Sequence, residues 1–139
     1  MIAVAAFAGV ALAIAVALFA RVVGFDRERV FYPVVLVVVG SYYDLFAVMA
    51  GGQSLIPELI GSLIFAAIAA IGFRTSLWIV AAGLAGHGVF DAFHGVMIDN
   101  AGVPNWWPLW CLSYDVAAAG CLAVLLVTGG VSARATRLA

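Results

Sequence analysis

The chain contains no lysine and very little charge of any kind. Only 9% of its 139 residues are Asp, Glu, Lys or Arg, whereas 67% are hydrophobic. Soluble domains carry about 25% charged residues, so this composition argues against a soluble domain and indicates an integral membrane protein. The net charge of -1 and the lack of a basic cluster argue against a nucleic-acid partner.

Cysteine is also scarce, and no secretory signal pattern is present. Cys111 and Cys121 are too few for a disulfide scaffold. They lie ten residues apart in one predicted helix and point in different directions, so we expect both to be small packing residues. The apolar stretch 1–20 is followed by arginine instead of being preceded by it, which favours a retained membrane span over a cleaved signal.

Long apolar runs make up most of the sequence. A membrane-spanning helix needs about 20 apolar residues, and five runs of this length are present. They predict an all-α bundle of five transmembrane helices, with residues 1–139 forming a single membrane domain. Because the joints are short, successive helices should be antiparallel neighbours. The predicted spans cover residues 1–20, 30–50, 54–73, 75–98 and 106–128.

The arginines all fall on one side of this predicted bundle. The positive-inside rule makes that side cytoplasmic, which places the N-terminus outside and the C-terminus in the cytoplasm, with the chain crossing a bacterial inner membrane several times. Tryptophans at the other end of the fifth span are typical of interfacial anchors. The arginines are Arg21, Arg27, Arg29, Arg74, Arg134 and Arg137, and the tryptophans are Trp106, Trp107 and Trp110.

The fourth predicted span contains three ionisable side chains. His87, Asp91 and His94 are spaced i, i+4 and i+7, which puts them on one face of a helix with 3.6 residues per turn. An acid at the centre of a membrane helix costs from about 2.5 kcal/mol upward. These groups should therefore be paired with partners or used in a function.

Acids from three other spans have similar predicted depths. At a rise of 1.5 Å per residue, Asp44, Glu58 and Asp115 all fall in the outer half of the bilayer, as do the groups of the fourth span. The sequence thus predicts one polar pocket that opens outward, with Asp44 and Asp115 opposite the histidines and with Tyr43 and Tyr114 orienting the acids. Glu58 has a second interpretation, as a first-turn residue that stabilises its helix dipole.

Two kinds of chemistry match this set. Imidazole and carboxylate ligands suit a divalent metal, Zn or Fe. The same groups can also perform metal-free acid/base catalysis, because His and a nearby carboxylate exchange protons readily. The candidate metal ligands are His87, Asp91, His94, Asp44 and Asp115, with Glu58 as a possible addition, and the candidate catalytic residues are Asp44, His87, Asp91, His94, Asp115, Tyr43 and Tyr114.

Function remains open among several classes. The first hypothesis is an enzyme that acts on a lipidic or other small apolar substrate. The alternatives are a small proton-coupled transporter, a ligand-binding membrane module and a structural subunit of a membrane complex. The inner half carries no ionisable side chain between the arginines and the pocket, which argues against a complete transport path. Membrane lipid is an expected partner, and the Gly- and Ala-rich faces would permit a homo-oligomer.

Three blocks of the chain resemble small bacterial integral membrane proteins of unknown function. They are residues 26–35, DRERVFYPVV; 86–94, GHGVFDAFH; and 103–115, VPNWWPLWCLSYD. The resemblance extends over most of the chain. It implies a bacterial membrane protein and brings no activity with it.

Overall fold

The computed structural model describes residues 2–134, and its regular structure there is helical apart from one isolated antiparallel bridge between Ser76 and Arg134. All five long helices are long and apolar enough to cross a membrane. The predicted all-α fold of five spans is confirmed. The helices are α1, Ile2–Val23; α2, Phe31–Met49; α3, Leu55–Arg74; α4, Leu77–Met97; and α5, Trp107–Val127, with a 3-10 turn at Phe25–Arg27.

Successive helices from α2 to α5 pack against each other, as the short joints predict, but the prediction is wrong for the first pair, because α1 packs against α5 instead of α2. Helix α5 packs against both α1 and α4, while α3 lies between α4 and α2. The close approach of α1 to α5 depends on Gly9, since a Cβ atom there would lie 2.3 Å from the carbonyl oxygen of Trp110. As a result, the first and last helices are neighbours, and α5 lies beside the polar face of α4.

All five arginines that the structure describes lie at one end of the bundle, here called the arginine end. Arg29 donates to the backbone carbonyl of Phe73 at 2.9 Å and to that of Ser132. The backbone N–H of Leu77 donates to the carbonyl of Ala133 at 2.8 Å. The segment after α5 thus folds over this end. Arg137 lies outside the described residues, and the membrane side on which each end resides stays a prediction.

The opposite end, formed by the α2–α3 and α4–α5 joints, is the tryptophan end. Between the arginine end and the polar residues of the core lies an apolar layer, whose side chains are completely buried. The buried ionisable residues of α3, α4 and α5 all lie on the tryptophan-end side of this layer. Its members are Leu36, Val80, Leu84 and Leu122.

Candidate metal centre and a second polar cluster

Helix α4 carries its three ionisable residues on one buried face, as the helical period predicts. His87, Asp91 and His94 are each at most 2% exposed. Gly88, on the same helix, lets α5 approach closely, because a Cβ there would lie 3.2 Å from the carbonyl oxygen of Leu112. This approach brings the polar face of α4 against the acid of α5.

His87 lies between two carboxylates. Its Nδ1 is 2.6 Å from Oδ2 of Asp115 and 3.5 Å from Oδ2 of Asp91. Tyr43, on α2, donates its hydroxyl to Oδ1 of Asp91 at 2.7 Å. All four residues are at most 1% exposed, so the arrangement is shielded from bulk solvent. Three helices contribute to it.

Cys111 completes this group, which the sequence alone did not reveal. Its Sγ lies 3.8 Å from Oδ2 of Asp115, and the residue is fully buried. One potential ligand atom from each of His87, Asp91, Cys111 and Asp115 lies within 4.8 Å of all the others. We call these four residues the His87 cluster. The available signal was the i, i+4 spacing of Cys111 and Asp115, which places the thiol on the same face as the acid.

The His87 cluster contains more acid than base. A protonated imidazole supplies one positive charge, whereas the two carboxylates supply two negative charges. Three buried atoms have no hydrogen-bond partner among the described residues, namely His87 Nε2, Asp91 Oδ2 and Asp115 Oδ1. Buried charges must be paired and hydrogen-bonded to offset their desolvation, so the cluster requires a further positive species, either a proton or a metal ion.

A second cluster lies toward the tryptophan end and consists of His94, Glu58 and Asn100, here called the His94 cluster. Nε2 of His94 is 2.9 Å from Oε1 of Glu58. The Asn100 side chain donates to the same oxygen at 2.7 Å and to the backbone carbonyl of Tyr43 at 3.2 Å. Glu58 is 2% exposed, so it is an internal partner of His94 as well as a first-turn residue of α3.

Tyr43 connects the two clusters. Its ring stacks on that of His94, with centroids 3.8 Å apart and an interplanar angle of 14°. The same side chain donates to Asp91 of the His87 cluster. Tyr43 thus contacts His94 through its ring and Asp91 through its hydroxyl, and its orienting role stays a prediction.

Two predicted site residues lie outside both clusters. Asp44 is half-buried on α2, and its Oδ1 has no partner among the described residues. The ring of Tyr114 stacks on Trp110, with centroids 5.9 Å apart, and lines a cavity of about 280 Å³ between α1, α2 and α5. The single pocket expected from the sequence is therefore divided into two clusters.

The His94 cluster borders a cavity at the tryptophan end. His94 and Asn100 line this cavity of about 220 Å³, together with other residues of the α4–α5 joint. An apolar groove of about 800 Å³ adjoins it, since Asn105 and Pro108 line both. This is the end at which the sequence places the mouth of the pocket, and the His87 cluster lies deeper.

Comparisons of this chain with protein-family models, with curated proteins and with solved structures gave no match.

Proposed function

We propose that this chain is a membrane protein that holds one divalent transition-metal ion at the His87 cluster, with Zn²⁺ as the best match. The observation that carries the proposal is the convergence of one imidazole, one thiol and two carboxylates within 4.8 Å in a buried core. A divalent cation would offset two of the three negative charges that the two carboxylates and a metal-bound thiolate would carry. The proposed location is a bacterial inner membrane with the arginine end in the cytoplasm, supported by the distribution of arginines.

The donor set favours zinc over iron. Zn²⁺ binds Cys, His and Asp ligands in tetrahedral sites, and the cluster offers four such residues. The common non-haem iron site requires two histidines and a carboxylate. Only His87 belongs to the cluster, because His94 pairs with Glu58 instead.

The geometry favours a structural metal site over a catalytic one. Four protein ligands with no open position are typical of structural zinc sites, whereas catalytic sites keep one position for water or substrate. Two ligands of a tetrahedral zinc ion, at bond lengths of about 2.0–2.1 Å, lie about 3.3 Å apart. His87 Nδ1 and Asp115 Oδ2 are 2.6 Å apart, so metal binding would open this pair slightly. The ion would then link α4 to α5.

Elemental analysis of detergent-purified protein tests the proposal. After incubation with zinc and removal of excess metal, we expect about one zinc per chain. Cys111→Ala and Asp115→Asn should each lose most of it, since each removes a ligand. Cys121→Ala and Asp44→Asn are the matched controls and should keep it, because both residues lie outside the cluster. A wild-type protein that retains no stoichiometric metal would refute the proposal.

A second candidate function is acid/base catalysis on an amphiphilic substrate at the His94 cluster. The specific observation is that His94 and Asn100 line a cavity, while an apolar groove of about 800 Å³ adjoins it. A hydrocarbon chain could lie in the groove with its polar head beside His94. The imidazole would transfer the proton, Glu58 would orient the ring, and Asn100 would hold Glu58 in place.

This candidate predicts a selective loss of turnover. Purified protein is incubated with a total bacterial lipid extract, and changes in lipid species are followed by mass spectrometry. His94→Gln should slow any conversion by about 10²–10⁴-fold, the usual contribution of a general acid or base. Asp44→Asn serves as the control. If no lipid species changes faster with wild-type protein than with His94→Gln, catalysis on lipid at this cluster is excluded.

A further inference from the structure

A separate groove lies at the arginine end, on the outer surface between α1 and α5. It encloses about 570 Å³, and its walls are almost entirely apolar. Leu18 and Val124, which line it, are more than 60% exposed. In a membrane, these residues would face lipid. The groove is thus open to the hydrocarbon phase along its side.

The end of this groove is polar and incompletely paired. Asp26 and Tyr32 both line it and are only 2% and 4% exposed. Oδ1 of Asp26 and the hydroxyl of Tyr32 have no hydrogen-bond partner among the described residues. Buried polar groups in native proteins are generally hydrogen-bonded. Two unsatisfied atoms on residues that line one groove therefore indicate a ligand with hydrogen-bond donors.

One cation, Arg21, lies beside the Asp26 carboxylate at this groove. Nη1 of Arg21 lies 3.5 Å from Oδ2 of Asp26, and about half of the arginine side chain is exposed. Arg21 is in the last turn of α1 and Asp26 in the joint that follows, at the level where lipid head groups meet a membrane helix. A cation and an anion placed side by side complement a zwitterionic head group.

We propose that this groove binds a phospholipid whose head group carries a primary ammonium, as phosphatidylethanolamine does. The ammonium donates to Oδ1 of Asp26 and to the hydroxyl of Tyr32. The phosphate accepts from Arg21, and one hydrocarbon chain lies along the groove. This inference does not rest on the metal proposal, because the groove and the His87 cluster share no residue.

The head-group chemistry predicts which lipids the groove prefers. A trimethylammonium head, as in phosphatidylcholine, has no N–H to donate to Asp26. A phosphatidylglycerol head has hydroxyl donors but no positive charge to pair with the carboxylate. Hydrogen bonds between charged groups are about twice as strong as neutral ones. We therefore expect phosphatidylethanolamine to bind about tenfold more tightly than either of the other two lipids.

Native mass spectrometry of the full chain in detergent, titrated with each of the three lipids, tests this. Asp26→Asn should abolish the preference for phosphatidylethanolamine. Tyr32→Phe should reduce it severalfold and should leave folding intact, since the hydroxyl has no hydrogen-bond partner in the part of the chain that the structure describes. Equal binding of the three lipids by the wild-type protein would overturn the proposal. So would a preference that persists in both variants.

Filling the groove provides an independent check. Gly120 lines the groove, and a Cβ atom there would meet nothing within 4 Å. Gly120→Leu should therefore fold and reduce phosphatidylethanolamine binding by about tenfold or more. Gly86→Leu, at an equally open position on α4, is the matched control and should bind normally. Unchanged binding by Gly120→Leu would show that the lipid lies elsewhere and would refute the assignment.

Discussion

Zinc is expected to raise the free energy of unfolding of the purified protein by about 4 kcal/mol when the free metal is at 1,000 times its dissociation constant. The folded chain holds His87, Asp91, Cys111 and Asp115 together, whereas the unfolded chain does not. Binding to the folded state alone therefore stabilises it. Thermal unfolding in detergent, with buffered zinc or with a chelator, measures this difference.

The controls for this result follow from the division into two clusters. Asp115→Asn should remove most of the zinc-dependent increment, because it takes a ligand from the His87 cluster. His94→Gln should retain the increment even if it lowers the baseline, since His94 pairs with Glu58 outside that cluster. An equal increment in wild type and Asp115→Asn would show that zinc acts elsewhere on the protein.

The second large effect concerns the metal-free protein. His87→Ala should lower its free energy of unfolding by about 3–5 kcal/mol, the usual cost of removing one partner of a buried ion pair. The substitution leaves Asp91 and Asp115 in the core without their shared imidazole, which now lies 3.5 and 2.6 Å from them. Unfolding in the presence of a chelator, followed by circular dichroism, measures the loss.

A double-mutant cycle separates charge from packing. The double variant His87→Ala/Asp115→Asn has the same missing ring as His87→Ala but one fewer buried acid. We expect it to be more stable than the effects of the two single changes added together, by about 0.5–3 kcal/mol of coupling. If the two effects simply add, His87 stabilises the core only by filling volume and not by pairing with the acid charge.

Much of the fold could be predicted from the sequence because its signals are local. Runs of about 20 apolar residues fix the number of helices, and the arginines between them mark which joints share an end. The least accurate predicted boundary was the end of the first span, because α1 continues to Val23 beyond the predicted end at residue 20. Val22 and Val23 follow Arg21, and a long arginine side chain at a helix end does not prevent continuation of the helix.

The site was less predictable because it depends on how each helix rotates about its axis. Tyr43 and Asp44 are adjacent, so their side chains point about 100° apart in a helix of 3.6 residues per turn. Tyr43 faces the core at 1% exposure, whereas Asp44 is only half-buried. The sequence placed both in the pocket. Only the packing of α2 against its neighbours decides which one contacts Asp91.

Two residues of the clusters, Cys111 and Asn100, were not predicted as site residues, because their directions also depend on tertiary packing. Cys111 resembled an ordinary packing residue until the rotation of α5 placed it beside Asp115. Asn100 lies in a joint, where no helical period indicates its direction. Its side chain reaches Glu58 and the carbonyl of Tyr43. By contrast, the face shared by His87, Asp91 and His94 was predicted correctly because it belongs to a single helix.

The apolar layer formed by Leu36, Val80, Leu84 and Leu122 has a consequence for the compartments on the two sides of the membrane. A metal ion that reaches the His87 cluster from the tryptophan end would meet a hydrocarbon barrier before the arginine end. Carrying a charge through such a region is costly. The cluster would therefore equilibrate with only one compartment, and the free metal concentration in that compartment alone would set its occupancy.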